Sequence, residues 1–396
     1  MRNRALGLAL TFALALLAAS CGNAPSSSTN TSGKNPPASG EVKKYPIGAV
    51  IEKSGPLENW GKASEWGMRL AIEDLKGKDG IELELFVGDN KSTPEQSANE
   101  FISLANSKNV MVVLGAVASS NTNQMKAQAD KLKVPIITHA STNVKLTKDT
   151  DWLFRICWND AFQGAVCANF MVDHLKAKKA IIVTDAAQDY SRGLSKAFEE
   201  TFKLRGGTII EELTYQSGDK VFTSQVEKLK ASEADGVFCS GYSAEVALLL
   251  KTARAAGYDK PFLGGDGLDD KQFFDIAGKA AGTGVYLCNH AHNDDPDEKI
   301  QNFVKAYTAK YKEPPGNAMA FLGYDAVLAV HDSIKRAAQK GPVTRESLRD
   351  AIASIKDLPL VTGTITVGQN KEVRKRAVVV KMKEDGSFEF VSEVKP

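Results

Sequence analysis

The chain has 396 residues, too many for one simple core, so two or more domains are expected. It is 43% hydrophobic and 25% charged, the composition of an ordinary soluble globular protein. A formal net charge of only +2 gives no sign of a nucleic-acid partner, which would need a basic face.

Arg2 and Arg4 precede an apolar run over residues 5–17, which closes on Ala18, Ala19 and Ser20 and then Cys21. The run is too short to span a bilayer and has the layout of a secretory signal peptide, residues 1–20. Small residues directly before a cysteine resemble a bacterial lipobox, so Cys21 is expected to carry a lipid after cleavage. Residues 21–44 are rich in Ser, Asn, Pro and Gly and read as a flexible tether that cannot bury a core.

From Tyr45 onward short apolar runs alternate with amphipathic ones. The strands "YPIGAVI", "IELELFVGD", "VMVVLGA" and "VPIITHA" are separated by the helical runs "EWGMRLAIEDLKGK", "EQSANEFISLANSK" and "NQMKAQADKLK". After Asp160 a second series follows, with strands "AIIVTD", "GTIIEELTY", "GVFCSG", "PFLGGD" and "GVYLCN" and four intervening helices. Continuous apolar strands separated by helices predict parallel sheets covered on both faces. Two series predict an α/β protein of two doubly wound lobes. Three further helices come next, in residues 296–312, 319–340 and 344–356. The end reads as a β-meander of "GTITVG", "RAVVVKMKED" and "GSFEFVSEV", with turns at Gln369-Asn370 and Asp385-Gly386.

Doubly wound sheets bind ligands beyond the carboxyl ends of their strands. Those ends hold "SGPLENWG", "GAVASSNT", "THASTN", "VTDAAQDYSRG", "SGYSAE" and "GGDGLD", where small residues, hydroxyls, aromatics and an acid gather. The hydroxyl cluster Ser119-Ser120-Asn121, before a helical run, admits two readings: caps for the helix, or donors for an anion at its N-terminus.

Taken in series, these segments resemble the leucine/isoleucine/valine-binding family of type I periplasmic binding proteins, the solute-capturing components of ABC importers. The resemblance rests on Ser54-Gly55-Pro56 with Trp60-Gly61, on Gly115, Ser119, Ser120 and Thr122, and on Ala140, Thr142, Leu146 and Thr147. It continues through Phe154-Arg155, Asp160, Gln163 and Gly164, then Gly241, Tyr242 and Glu245, and Gly264, Asp266 and Gly267. It implies two lobes joined by a three-strand hinge that crosses near Trp158, His292 and Lys375. Lobe 1 is then residues 45–158 with 292–375, and lobe 2 residues 159–291 with 376–396.

The resemblance also implies a site. Ser119 and Thr142 would hold a ligand carboxylate through hydroxyl and backbone N–H. The Ala140 carbonyl and the Asp266 carboxylate would hold an ammonium, and Trp60 and Tyr242 would wall the pocket. Asp266 stands where relatives often have the longer Glu. The disulfide those relatives carry is absent, because its positions hold Ser92 and Ala118. The implied partners are an amino acid, branched-chain or otherwise apolar, an ABC permease and, through Cys21, the outer face of the membrane. The protein is expected to act as a monomer. Amides, urea, aromatic acids, sugars or another small solute are the alternative ligands of the same architecture, and sensing is the alternative to transport.

Without the resemblance the chemistry points the same way. An α-amino acid presents an anion and a cation a few Å apart; Ser119 and Thr142 supply donors for one, Ala140 and Asp266 acceptors for the other. No G-x-S-x-G elbow and no G-x-x-x-x-G-K-[ST] loop is present, so no enzyme, cofactor or metal is expected. A hydrolase would need His139 paired with Ser119 or Ser141. "NHAHNDD" (289–295) reads as an interlobe linker rather than a metal site, and 371–376 as a solvated hairpin. Arg155 reads as a structural ion-pair partner rather than a ligand contact, Asp160 and Gln163 as caps of the next helix with solute contact as the alternative, and Ser191 as a backbone partner rather than a ligand contact. Cys157, Cys167, Cys239 and Cys288 lie in apolar contexts and read as buried free thiols.

Overall fold

The computed structural model describes residues 42–394 except residues 283, 369 and 386; the signal peptide, Cys21 and nearly all of the tether lie outside the described residues. The first series folds into β1 (Lys43–Ile51), α1 (Glu58–Asp74), β2 (Ile81–Asp89), α2 (Pro94–Ser107), β3 (Val113–Gly115), α3 (Ser119–Leu132), β4 (Ile136–Thr138) and β5 (Leu153–Arg155). Its five strands pair in parallel in the order β2-β1-β3-β4-β5. The centre of this sheet is apolar on both faces: Ile47, Ala49, Val50 and Ile51 are all fully buried. That is why these runs lack the polar alternation of a one-sided sheet.

The second series comprises α4 (Asp160–Asp173), β6 (Lys179–Asp185), α5 (Asp189–Leu204), β7 (Thr208–Tyr215), α6 (Thr223–Ala231), β8 (Gly236–Ser240), α7 (Ser243–Ala255), β9 (Phe262–Gly264), α8 (Lys271–Ala277) and β10 (Val285–Asn289). α9 (Glu298–Tyr311), α10 (Met319–Ala338), α11 (Arg345–Ala353), β11 (Leu358–Leu360), β12 (Gly363–Ile365), β13 (Ala377–Met382) and β14 (Phe388–Val394) complete the chain. The second sheet has the order β14-β13-β10-β9-β8-β6-β7; β13 and β14 are its antiparallel members. The chain therefore leaves the first sheet after β5, leaves the second after β10 and returns to it at β13.

α10 returns to pack against α1 in the first lobe. Two glycines let the helices approach. A Cβ on Gly67 would lie 1.9 Å from the Ala320 carbonyl oxygen, and one on Gly323 would lie 2.3 Å from that of Ser64.

Two expectations are corrected, and one strand is added. The terminal meander is split: β12 pairs with β11 in a separate two-stranded sheet, while β13 and β14 extend the second lobe. Residues 371–376 are not a solvated hairpin. They lead back to the second sheet, and Lys375 is buried there, donating to Thr362 Oγ1 at 2.6 Å. Finally β5, only three residues long, had no apolar run of its own to announce it; Phe154 and Ile156 are buried around it.

Candidate functional site

The ends of β3 and β4 meet the ends of β6, β8 and β9 around a small, narrow cavity. Trp60, Val117, Ser119, Ala140, Thr142 and Met319 line it from the first lobe, and Tyr190, Tyr242, Asp266 and Gly267 from the second. All six residues singled out in the sequence, Trp60, Ser119, Ala140, Thr142, Tyr242 and Asp266, share this one cavity.

On the first lobe the site is built at the N-terminus of α3. The hydroxyl cluster does not cap the helix. Ala118 is the N-cap residue and no side chain accepts there. The polar side chains point sideways instead. Ser119 Oγ accepts from the Asn143 N–H at 3.2 Å, and Ser120 Oγ accepts from the Asp189 N–H at 3.0 Å. Asn121 Nδ2 donates to Glu52 at 2.8 Å. An uncapped first turn presents N–H groups and the positive end of the helix dipole, which suits an anion.

Glu52, which the sequence did not single out, locks this turn. Its fully buried carboxylate accepts from the Val117 and Ala118 N–H groups at 3.1 and 3.2 Å, as well as from Asn121. Burial pushes its pKa up, against those three donors. Ser92 bonds the Ser54 carbonyl at 2.8 Å and the Leu57 N–H at 3.2 Å. The positions that would hold a disulfide are thus tied down separately by hydrogen bonds.

On the second lobe three donors converge on Asp266. Gln163 Nε2 and Tyr190 OH each donate to Oδ1 at 2.9 Å, and His290 Nε2 faces Oδ2 at 3.1 Å. Tyr190 OH in turn accepts from the Gly267 N–H at 3.1 Å. His290 stacks on Trp158 with ring centroids 3.6 Å apart. Burial pushes His290 down to about 4, although Asp266 pulls the other way, so at neutral pH it is an uncharged donor. A carboxylate offers about four lone-pair positions. Three are taken, which leaves one open to a further donor.

Tyr190 and His290 were both missed as site residues. Tyr190 lay inside a strand-end segment but was indistinguishable from packing; His290 was read as linker. Gln163 is a partner of Asp266 and not a cap, and the cap of α4 is Asn159, whose Oδ1 accepts from the Phe162 N–H at 3.0 Å. Among the described residues Arg155 makes no ion pair: it is fully buried and donates to the carbonyls of Thr142 and Asn143 at 2.8 and 2.7 Å, fixing the loop after β4. Ser191 bonds backbone, as expected, through the Asp185 N–H and the Ser240 carbonyl. His139 pairs with Ser64 at 2.9 Å, not with Ser119 or Ser141, so no serine nucleophile is assembled there. The four cysteines are buried free thiols. Among the described residues no three His, Cys, Asp or Glu side chains are grouped to hold a metal.

The lobes are joined around the cavity. Trp60 Nε1 donates to the Asp269 carbonyl at 2.9 Å, Asn59 to Asp270 at 3.0 Å, and Asn143 Nδ2 to the Asp189 carbonyl at 2.6 Å. Trp60 meets Tyr242 edge-on at 5.2 Å, and Tyr242 stacks on Tyr190 at 5.5 Å. One wall of the cavity is therefore aromatic and drawn from both lobes.

Comparison with known proteins agrees with this architecture. Residues 44–387 match the sequence pattern of a family described as periplasmic binding protein. The leucine-specific-binding protein of Salmonella typhimurium is 27% identical over 307 residues, 76% of this chain and 81% of that one. The leucine-, isoleucine-, valine-, threonine-, and alanine-binding protein of Pseudomonas aeruginosa is 28% identical over 293 residues, covering 73% of this chain and 77% of its own. Among solved structures, the leucine binding protein LivK of Thermotoga maritima superposes with a TM-score of 0.84 at 31% identity, over 89% of this chain and 99% of that one. The branched-chain amino acid transporter substrate binding protein LivJ of Streptococcus pneumoniae, in complex with isoleucine, gives 0.82 at 33%, over 89% and 100%. The solute binding protein of an ABC transporter from R. palustris, in complex with benzoate, shares the fold at 22% identity with a TM-score of 0.79, over 90% of this chain and 97% of that one. With a pattern matched over most of its length and two lobes closing on one polar cavity, the chain belongs to the periplasmic binding protein family.

Proposed function

We propose that this protein is the extracytoplasmic solute receptor of an ABC importer and that its solute is an α-amino acid with an apolar, branched-chain-sized side chain. The observation that carries the reading is the polarity of the cavity. An uncapped helix N-terminus with Ser119 and Thr142 stands on one lobe, and the buried carboxylate of Asp266 on the other. A zwitterion fits both ends at once, while the apolar side chain meets Trp60, Tyr190, Tyr242 and Met319. The relatives named for leucine, isoleucine and valine support the same ligand class.

In this reading the solute docks on the first lobe through Ser119, Ala140 and Thr142. The second lobe then closes, bringing Asp266 and the two tyrosines. Closure removes water, which strengthens each charged contact. A solute that offers an acid and no cation, such as benzoate, would leave Asp266 buried without a counter-charge. The hinge passes near Trp158, His292 and Lys375 and divides the chain into lobes 45–158 with 292–375 and 159–291 with 376–396. The receptor works as a monomer without catalysis or cofactor. A signal peptide over residues 1–20 directs export, and a lipid on Cys21 holds the protein beside its permease.

A thermal-shift screen against the twenty amino acids, acetamide, urea and benzoate tests the reading. A ligand at 100 times its Kd stabilises by about 2.7 kcal/mol. Branched-chain amino acids should give the largest shifts; a shift with benzoate and none with any amino acid would overturn the proposal.

A further inference from the structure

Asp269, in the loop after β9, ties the second lobe to two parts of the cavity wall at once. Its carboxylate Oδ2 accepts from the Ala318 N–H at 2.7 Å, and its backbone carbonyl accepts from Trp60 Nε1 at 2.9 Å. Both donors stand on the first lobe, one at the start of α10 and one in α1. Trp60 lines the cavity, and so does Met319, the residue after Ala318. Asp269 is also fixed on its own lobe. Asn289 Nδ2, at the end of β10, donates to the same Oδ2 at 2.7 Å. The Asp269 N–H donates to the Asp266 carbonyl at 3.1 Å, closing the turn Asp266–Leu268.

The start of α10 shows why an acid from across the cleft fits there. The N-cap residue is Ala318, whose side chain has no acceptor. Asn317 Oδ1 serves the Met319 N–H at 3.1 Å, which leaves the Ala318 N–H to Asp269. The helix dipole favours an acceptor of negative charge at that end. Asp270 also reaches the first lobe, through Asn59 at 3.0 Å, but neither of that pair lines the cavity.

We infer that Asp269 is a positioning residue that fixes the width of the apolar end of the cleft, and with it the size of side chain the closed protein accepts. The inference rests on the amino-acid receptor reading above and deepens it. With Trp60 and the start of α10 held to one residue of the opposite lobe, the wall retreats from a larger solute only by breaking buried hydrogen bonds. That strands the Ala318 and Asn289 donors. A branched-chain-sized side chain leaves the bonds intact, whereas an aromatic one has to push the wall back. The contact crosses between the lobes, so it acts on release of the solute rather than on its entry.

Charge is not what the contact needs. Burial is the largest influence on Asp269 and pushes its carboxyl up to about 7, helped by Asp270 and Asp266 and opposed by the Asn289 and Ala318 donors. Both bonds fall on Oδ2, so an amide oxygen at that place can accept both.

The test compares L-leucine and L-phenylalanine, by calorimetry for affinity and stopped flow for rates. The proteins are wild type, Asp269→Ala, Asp269→Asn and Ala318→Pro, with melting curves of ligand-free protein as the control for folding. Ala318→Pro deletes the donor and leaves the second lobe unchanged; Pro suits the start of a helix, and Ala318 already has a φ of −63°. Asp269→Ala and Ala318→Pro should each weaken leucine about five- to a hundredfold, nearly all of it as faster release. Phenylalanine should lose less, so that the preference for leucine falls by roughly fivefold or more. Asp269→Asn should restore leucine binding to within about threefold of wild type. Folded Asp269→Ala and Ala318→Pro proteins that keep the wild-type preference, or Asp269→Asn as damaging as Asp269→Ala, overturn the inference and leave the functional reading standing. Should Asp269→Ala not fold, Ala318→Pro decides. A wild type that binds no amino acid overturns the functional reading and this inference together.

Discussion

Replacing Asp266 by Asn alters one atom and removes one charge. Gln163 and Tyr190 both donate to Oδ1, a position that an amide oxygen can keep. His290 faces Oδ2, which becomes an NH2 group; being neutral, the ring can move its proton to Nδ1 and accept instead. The folded protein should therefore keep its melting temperature closely. Asp266→Ala is different, since it strands three buried donors at about 1–3 kcal/mol each. Binding is where Asp266→Asn shows its effect. Breaking one half of a buried ion pair costs roughly 3–5 kcal/mol. At 1.4 kcal/mol per power of ten, that is a loss of about a hundred- to several-thousand-fold in affinity. Titration calorimetry with the amino acid that gives the largest thermal shift measures it directly. A loss of less than tenfold, in a variant that melts like the wild type, would mean that no ammonium rests on Asp266.

Three further outcomes are expected. Trp60→Phe keeps the aromatic wall but removes the bond to the Asp269 carbonyl between the lobes; at about 0.5–1.5 kcal/mol it should weaken ligand two- to twelve-fold by calorimetry, and unchanged affinity would remove that bond from the closure. His139 is pushed down to about 3, mainly by burial and then by His290, from an ordinary value near 6.5. The unfolded chain takes up a proton there that the native state refuses, so its share of stability is whole above pH 6.5 and is lost as pH falls towards 3, by about 1.4 kcal/mol per unit. Denaturant melts at pH 7 and 4.5 should show His139→Gln losing about 3 kcal/mol less than wild type over that interval, and parallel losses would contradict it. Gly67→Ala places a methyl against the Ala320 carbonyl and must part α1 from α10; a destabilisation of about 1–3 kcal/mol is expected in the same melts, and a neutral result would show that the helices yield freely.

Much of the fold was legible because its periodicities are local. Runs such as "IELELFVGD" are apolar, bounded and β-rich, and β2 occupies those same residues, Ile81–Asp89. What failed was short or shared. β5 is three residues, too brief to carry a period. β12 and β13 look alike as apolar runs, yet they join different sheets, because the chain between them returns to the second lobe and a run does not encode its neighbour.

The site divides in the same way. Which residue types stand at the strand ends is a property of the order of the chain, so Ser119, Ala140, Thr142, Tyr242, Asp266 and Trp60 could be chosen in advance, and one cavity gathers them. What each side chain does there depends on groups far away in sequence. The serines of α3 look like caps until Asn143 and Asp189 take up their hydroxyls. His290 looks like linker until Trp158 stacks on it and it turns to Asp266, 24 residues away. Arg155 looks like half an ion pair until two loop carbonyls occupy it. Sequence alone determined the alternation of strand and helix and the chemistry offered at the cleft, since both follow from neighbouring residues. Only the tertiary structure decided the partners, because burial and hydrogen-bond geometry arise when distant segments are packed together.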